Sequence, residues 1–187
     1  MKKPYLTYAL SAEGKLVHID SVANGKECRC FCTYCGEPLQ AKQGAKRKHH
    51  FSHLSGTECE AAYESMLHLL AKEKIQEAFY NRTSLYIEFE YTSFCNQEKC
   101  IFMSHSRRCS NKERKRFDLK TLYDSCEQEI SYDNIRRRSD LKFFSKEFPK
   151  RKPIYIEFCV THASDEAKLH SGNKIIEILI EDENSIS

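Results

Sequence analysis

The sequence predicts an α+β or α/β protein in which a small β-rich module precedes a mixed sheet flanked by helices. Three observations point there. Cysteines and histidines crowd into residues 28–59 among short segments. A stretch free of Gly and Pro, from Glu60 to Tyr80, carries apolar residues at helical spacing. Two later segments, Ile154–Thr161 and Lys174–Ile180, are rich in β-branched and aromatic residues. The 187 residues suffice for both parts, and the composition changes near residue 60. The expected division is residues 1–60 for the module and 61–187 for the core.

Tyr5–Leu10 and Lys15–Ile19 alternate as two strands joined by Ser11-Ala-Glu-Gly14. Cysteine-rich turns follow from Cys28 to Cys35, and Gln43–Lys48 reads as an exposed basic turn. In the helix, Leu67, Leu70, Ala71, Ile75 and Ala78 form the apolar stripe. Leu85–Tyr91 alternates as a strand. Residues 93–115 are polar and give no clear element, and Arg116–Lys120 reads as the start of another core strand. In the segment from Ile154, alternation sets Ile154, Ile156, Phe158 and Val160 on one face and Tyr155, Glu157, Cys159 and Thr161 on the other. Ser164–Leu169 reads as a short helix capped by Ser164, Lys174–Ile180 as a last strand, and the remainder as a loose acidic tail.

Hydrophobic residues are 40% and charged residues 30% of the chain, which excludes a disordered polyelectrolyte. No apolar run approaches the roughly 20 residues of a membrane-spanning helix. Met1-Lys2-Lys3-Pro4-Tyr5 leads into a polar hairpin and not an apolar signal segment, so a cytoplasmic protein is expected. The net charge of +3 is unevenly spread: +3 over residues 1–63, −3 over 64–98, +8 over 99–152 and −5 over 153–187. A basic middle between acidic segments suits a protein that meets a polyanion near carboxylates.

Ten cysteines in a chain expected to stay reduced point to metal ligation and not to disulfides. Cys32-x2-Cys35 can grip one ion from a tight turn, and a second pair from a later segment completes a zinc tetrahedron. Five candidates compete for four places. Cys32, Cys35, His53 and Cys59 are favoured, with His50 the rival and Cys28 and Cys30 nearby. Such a closed site is structural and holds a module too small to bury its own core. Cys95, Cys100, His105 and Cys109 form a second, irregularly spaced group for a further zinc.

Glu64, His68 and Lys72 follow at four-residue intervals and share one helix face. Glu157 interrupts an otherwise apolar strand, where a buried carboxylate requires a cation or metal. Asp140 follows three arginines, Arg136, Arg137 and Arg138, which can contact phosphates. An Asp and a Glu on neighbouring strands can hold Mg²⁺ or Mn²⁺ for phosphodiester hydrolysis, with Lys168 or Lys72 stabilising phosphate charge.

In order, Cys32-x2-Cys35, His50-Phe-Ser-His53, Glu64-Ser-x2-His68-x3-Lys72, Arg138-Ser-Asp140 and Ile156-Glu-Phe-Cys-Val-Thr-His162 with Asp165-Glu-x-Lys168 resemble the competence protein CoiA-like family. The resemblance spans roughly residues 5–180, with 93–135 the least matched. It implies a zinc-finger-like N-terminal module and a nuclease-like domain of the PD-(D/E)xK, restriction-endonuclease-like superfamily, with Mg²⁺ on the acidic motif. It also implies DNA as partner, in uptake, processing or recombination. Carried over, Glu64 is the first-helix carboxylate, Asp140 the motif Asp and Glu157 the motif Glu. Ser139 stands where the motif has Pro, and Cys159 where it has Lys, so Lys168 or Lys72 must supply the charge from a helix if hydrolysis is kept. The alternatives are a catalytically inactive DNA-binding protein of the same fold, or a zinc-stabilised interaction protein.

Overall fold

The computed structural model describes residues 4–57, 59–94, 110–131, 138–160 and 174–186. The N-terminal part is an antiparallel sheet of five strands, β1 (Tyr8–Leu10), β2 (Leu16–His18), β3 (Gly25–Phe31), β4 (Pro38–Lys42) and β5 (His50–His53), in the order β2-β1-β3-β4-β5. The first two form the expected hairpin. Cys28 and Cys30, expected in a turn, lie instead within β3, because the pairs Cys30↔Leu39 and Phe31↔Pro38 draw that segment into the sheet. Arg29, at φ 48°, marks the register shift in the same strand. Ala9, Ile19, Cys30, Leu39, Ala41 and Phe51 make a small buried cluster there.

Helix α1 (Ala62–Asn81) follows, matching the periodic stretch. It places Met66, Leu67, Ala71 and Phe79 in a second, larger cluster. Opposite lies a mixed sheet of β8 (Ser125–Ser131), β9 (Arg138–Phe144), β10 (Ile154–Cys159) and β11 (Lys174–Leu179), in the order β11-β10-β9-β8. β8, β9 and β10 pair antiparallel, and β11 pairs parallel to β10. Leu141, Phe143, Ile154, Ile156 and Phe158 alternate toward the core, as read for β10. Phe79 meets Phe143 edge to face at 5.1 Å. The sheet-rich core with a mixed sheet and a long helix agrees with the expected fold class; the short helix expected at Ser164–Leu169 lies outside the described residues.

Strands β6 (Tyr86–Phe94) and β7 (Ser110–Asp118) form a separate two-stranded ribbon, paired from Tyr86↔Asp118 to Phe94↔Ser110. Arg116 therefore sits near the end of an exposed strand and does not begin a core one. Its guanidinium stacks on Tyr86 at 4.3 Å instead of entering the core. The acidic tail is also not loose. Asp182 accepts hydrogen bonds from the Asn184 and Ser185 amides, Ile180 is buried, and Ile186 packs against the larger cluster. No helix among the described residues is long and apolar enough to cross a membrane.

Candidate metal centre and acidic cluster

The turn after β3 carries Cys32 and Cys35, and Gly36 takes φ 71°, a left-handed conformation that glycine adopts without a Cβ penalty. The Gly36 amide donates to the Cys32 carbonyl at 3.1 Å and closes the knuckle. β5 ends at His53, and the chain returns through Cys59 just before α1. Cys32, Cys35, His53 and Cys59 thereby bring their ligand atoms within 4.8 Å of one another, with Cys35 Sγ 3.3 Å from His53 Nε2. Three thiols and an imidazole, with Cys32 and His53 buried, Cys59 half-buried and Cys35 exposed, are the donor set of a structural zinc site. Burial and then the neighbouring Cys32 and Cys35 thiols push the Cys59 thiol up to about 11, a cost that a bound dication would remove.

His50 is not part of this group. Residues 50 and 53 alternate to opposite faces of β5, and His50 Nδ1 bonds the Lys48 carbonyl at 2.8 Å while the Tyr5 ring lies 4.7 Å from its own. Cys28 and Cys30 are occupied elsewhere: their thiols bond the Leu39 and Cys28 carbonyls. Cys95, Cys100, His105 and Cys109 lie outside the described residues.

The second cluster forms where α1 crosses the mixed sheet. The β9–β10 ladder ends at Ile156↔Leu141, and one further step sets Asp140 opposite Glu157. There the strands part, and the Phe158 amide donates to Asp140 Oδ2 at 2.8 Å instead of to a β9 carbonyl. Asp140 is therefore within strand β9. From α1, His68 Nδ1 reaches Asp140 Oδ1 at 3.4 Å, Lys72 Nζ approaches the same oxygen at 3.9 Å, and Glu64 Oε1 lies 3.9 Å from His68 Nε2. The four-residue spacing of Glu64, His68 and Lys72 thus aims them along one line. Burial pulls the Asp140 carboxyl upward. The hydrogen bonds from His68 and the Phe158 amide, with the charges of His68 and Lys72, outweigh it and hold the group below the usual carboxylate range.

Sequence reasoning missed Glu129. Its side chain accepts a hydrogen bond from the buried Lys72 ammonium. It holds φ 55°, an uncommon conformation for a residue with a Cβ. The β8–β9 ladder passes from Gln128↔Leu141 to Ile130↔Ser139 with Glu129 left out, at the point where it would face Asp140. Alternation of Cys126, Gln128 and Ile130 could have marked this strand, but its pairing with β9 is tertiary information.

Glu157 is buried in the middle of β10, paired in register with Glu177 of β11. Cys159, two positions on, is also buried. Arg138 is exposed at the start of β9; Arg136, Arg137 and Lys168 lie outside the described residues. Among the described residues, the group of three or more His, Cys, Asp or Glu side chains set to hold a metal is the Cys32 group; Glu64, Asp140 and Glu157 are not gathered in that way.

No curated protein and no solved structure matches the chain. Residues 16–62, which include all four zinc-type ligands, match the family described as competence protein CoiA, N-terminal domain.

Proposed function

We propose that the chain is a metal-dependent DNA nuclease of the restriction-endonuclease-like type, acting in DNA uptake, processing or recombination, with a structural zinc in its N-terminal module. The observation that carries this reading is Asp140 at the parting of β9 and β10, facing Lys72 from α1. A helix followed by three antiparallel strands and a fourth parallel one supports the same reading.

In this reading Asp140 and Glu157 are the residues that would hold a Mg²⁺ or Mn²⁺ ion, with Glu64 of the helix as a third carboxylate. Such an ion supplies Lewis acidity and a water of lowered pKa. Lys72 supplies the positive charge that Cys159 cannot, and Glu129 positions it. His68 between Glu64 and Asp140 keeps both carboxylates oriented and can carry a proton. Arg138 offers its guanidinium to a phosphate at the mouth of the site.

A second reading, a DNA-binding protein of the same fold without turnover, is favoured by one observation. Lys72 is already engaged by Glu129 and Asp140, as in a structural ion-pair network. The test is cleavage of linear duplex and single-stranded DNA with Mg²⁺, Mn²⁺ or EDTA, using wild type, Asp140→Asn and Glu157→Gln. Metal-dependent products that vanish in both variants are expected. Full DNA binding with no products from wild type selects the second reading, and absence of salt-dependent DNA binding selects a zinc-stabilised interaction protein.

A further inference from the structure

We propose that the outer face of the β4–β5 hairpin, beside the zinc module's core, binds single-stranded DNA. The basic turn takes backbone phosphates, and a neighbouring pocket takes an unstacked base. The proposal rests on the reading of DNA as substrate but concerns a different surface from the acidic cluster.

The turn joining β4 to β5 exposes Lys46, Arg47 and Lys48, with Lys42 exposed at the end of β4. No acidic residue occurs between Glu37 and Glu58. Among the described residues, none of these four cations is in an ion pair. Four cations without carboxylate partners on one turn form a local field that favours a polyanion. By contrast, Arg114 on the equally basic β7 is neutralised by Glu88 and Glu90.

The register Lys42↔His50 and Gln40↔Ser52 sets these four side chains on the face opposite buried Leu39, Ala41 and Phe51. On that face opens a pocket of about 430 Å³ walled by Tyr5, Lys42, His50, Ser52 and Tyr63, with Glu60 its one carboxylate. This is within the ~300–1,000 Å³ range of ligand pockets. The rings of Tyr5 and His50 lie 4.7 Å apart, tilted by 43°, and present a ring surface. Ser52 Oγ is buried in this wall and has no hydrogen-bond partner among the described residues. A hydroxyl left over at a pocket wall is one that a water or a ligand atom entering the pocket would satisfy. Phosphate-seeking cations, a pair of adjoining rings and an unsatisfied hydroxyl together suit a nucleotide. A base enters such a pocket only when unstacked, which selects single strands over duplex.

The test is fluorescence anisotropy of a labelled 20-nucleotide single strand and its duplex against the full zinc-loaded chain across a salt series. The variants are Lys46→Ala/Arg47→Ala/Lys48→Ala, Tyr5→Ala, and Lys150→Ala as a remote control. Unchanged zinc content and far-UV circular dichroism establish that the variants fold. The triple variant is expected to lower the salt slope of log Kd by about 2. Tyr5→Ala is expected to weaken single-strand binding roughly tenfold with the slope kept. Lys150→Ala should bind like wild type. Wild-type affinity and slope in the triple variant overturn the proposal, as does tighter duplex than single-strand binding, or equal capture by phosphatidylglycerol vesicles. Binding lost in the triple variant while wild type cleaves nothing overturns only the nuclease reading. Cleavage by wild type with undiminished binding in the triple variant overturns only this one.

Discussion

Lys72→Met isolates the acidic cluster, since it keeps the length and apolar stem of a buried side chain and removes its charge. At 3.9 Å from Asp140, and with the effective dielectric of about 20 that suits such sites, the gross attraction is about 4 kcal/mol. Relief of the ammonium's desolvation offsets part of that loss. Asp140 also retains the Phe158 amide and His68, and Glu129 is half-exposed and can turn to water. A net loss of about 2 kcal/mol at pH 7 remains, or roughly 4–8 °C in Tm for a chain of this size. The sign with pH follows from Asp140. In wild type its folded pKa lies below the unfolded value, so its contribution is present above about pH 4 and is lost as pH falls through the folded value. In the variant one lowering influence is gone and burial weighs more, so the folded pKa rises. The gap between the two proteins therefore narrows as pH drops from 7 toward 3, where Asp140 is protonated in both. Urea melts at pH 7, 5 and 3.5, with NMR titration of the Asp140 carboxyl, measure this. Equal stability at pH 7, or a gap that widens in acid, refutes Lys72 as the partner of Asp140.

Cys32→Ser should lose stoichiometric zinc by mass spectrometry after dialysis against a chelator, while His50→Ala keeps it; the reverse pattern moves the ligand set to His50. Glu129→Gly relieves a left-handed conformation worth on the order of 1 kcal/mol, so its denaturation midpoint should not fall despite the lost Lys72 contact. The same variant should lower any DNA cleavage at least tenfold, and unchanged cleavage would make Glu129 merely structural. Phe79→Ala removes a fully buried ring packed on Phe143 and should cost about 3–5 kcal/mol in urea denaturation; a loss under 1 kcal/mol would place α1 wrongly on the sheet.

The sequence by itself determined what local spacing can carry. Two thiols two residues apart, with His50, His53 and Cys59 downstream, pointed to a zinc-type group and left His50 as a rival ligand, because a knuckle and its return strand are short-range events. The 3.6-residue period placed Leu67 and Ala71 inward and drew Glu64, His68 and Lys72 into one line, and alternation placed Ile156 and Phe158 in the core. Only the tertiary structure decided the rest. That Cys28 and Cys30 enter a strand depends on pairing with Leu39, and that His50 turns away from the metal depends on which face of β5 meets the core. Glu129 beside Lys72 was invisible because the residues are far apart in sequence and meet only once β8 pairs with β9 under α1. Which acids share a site is set by strand order and register, and those are fixed by burial of the whole sheet rather than by any single segment.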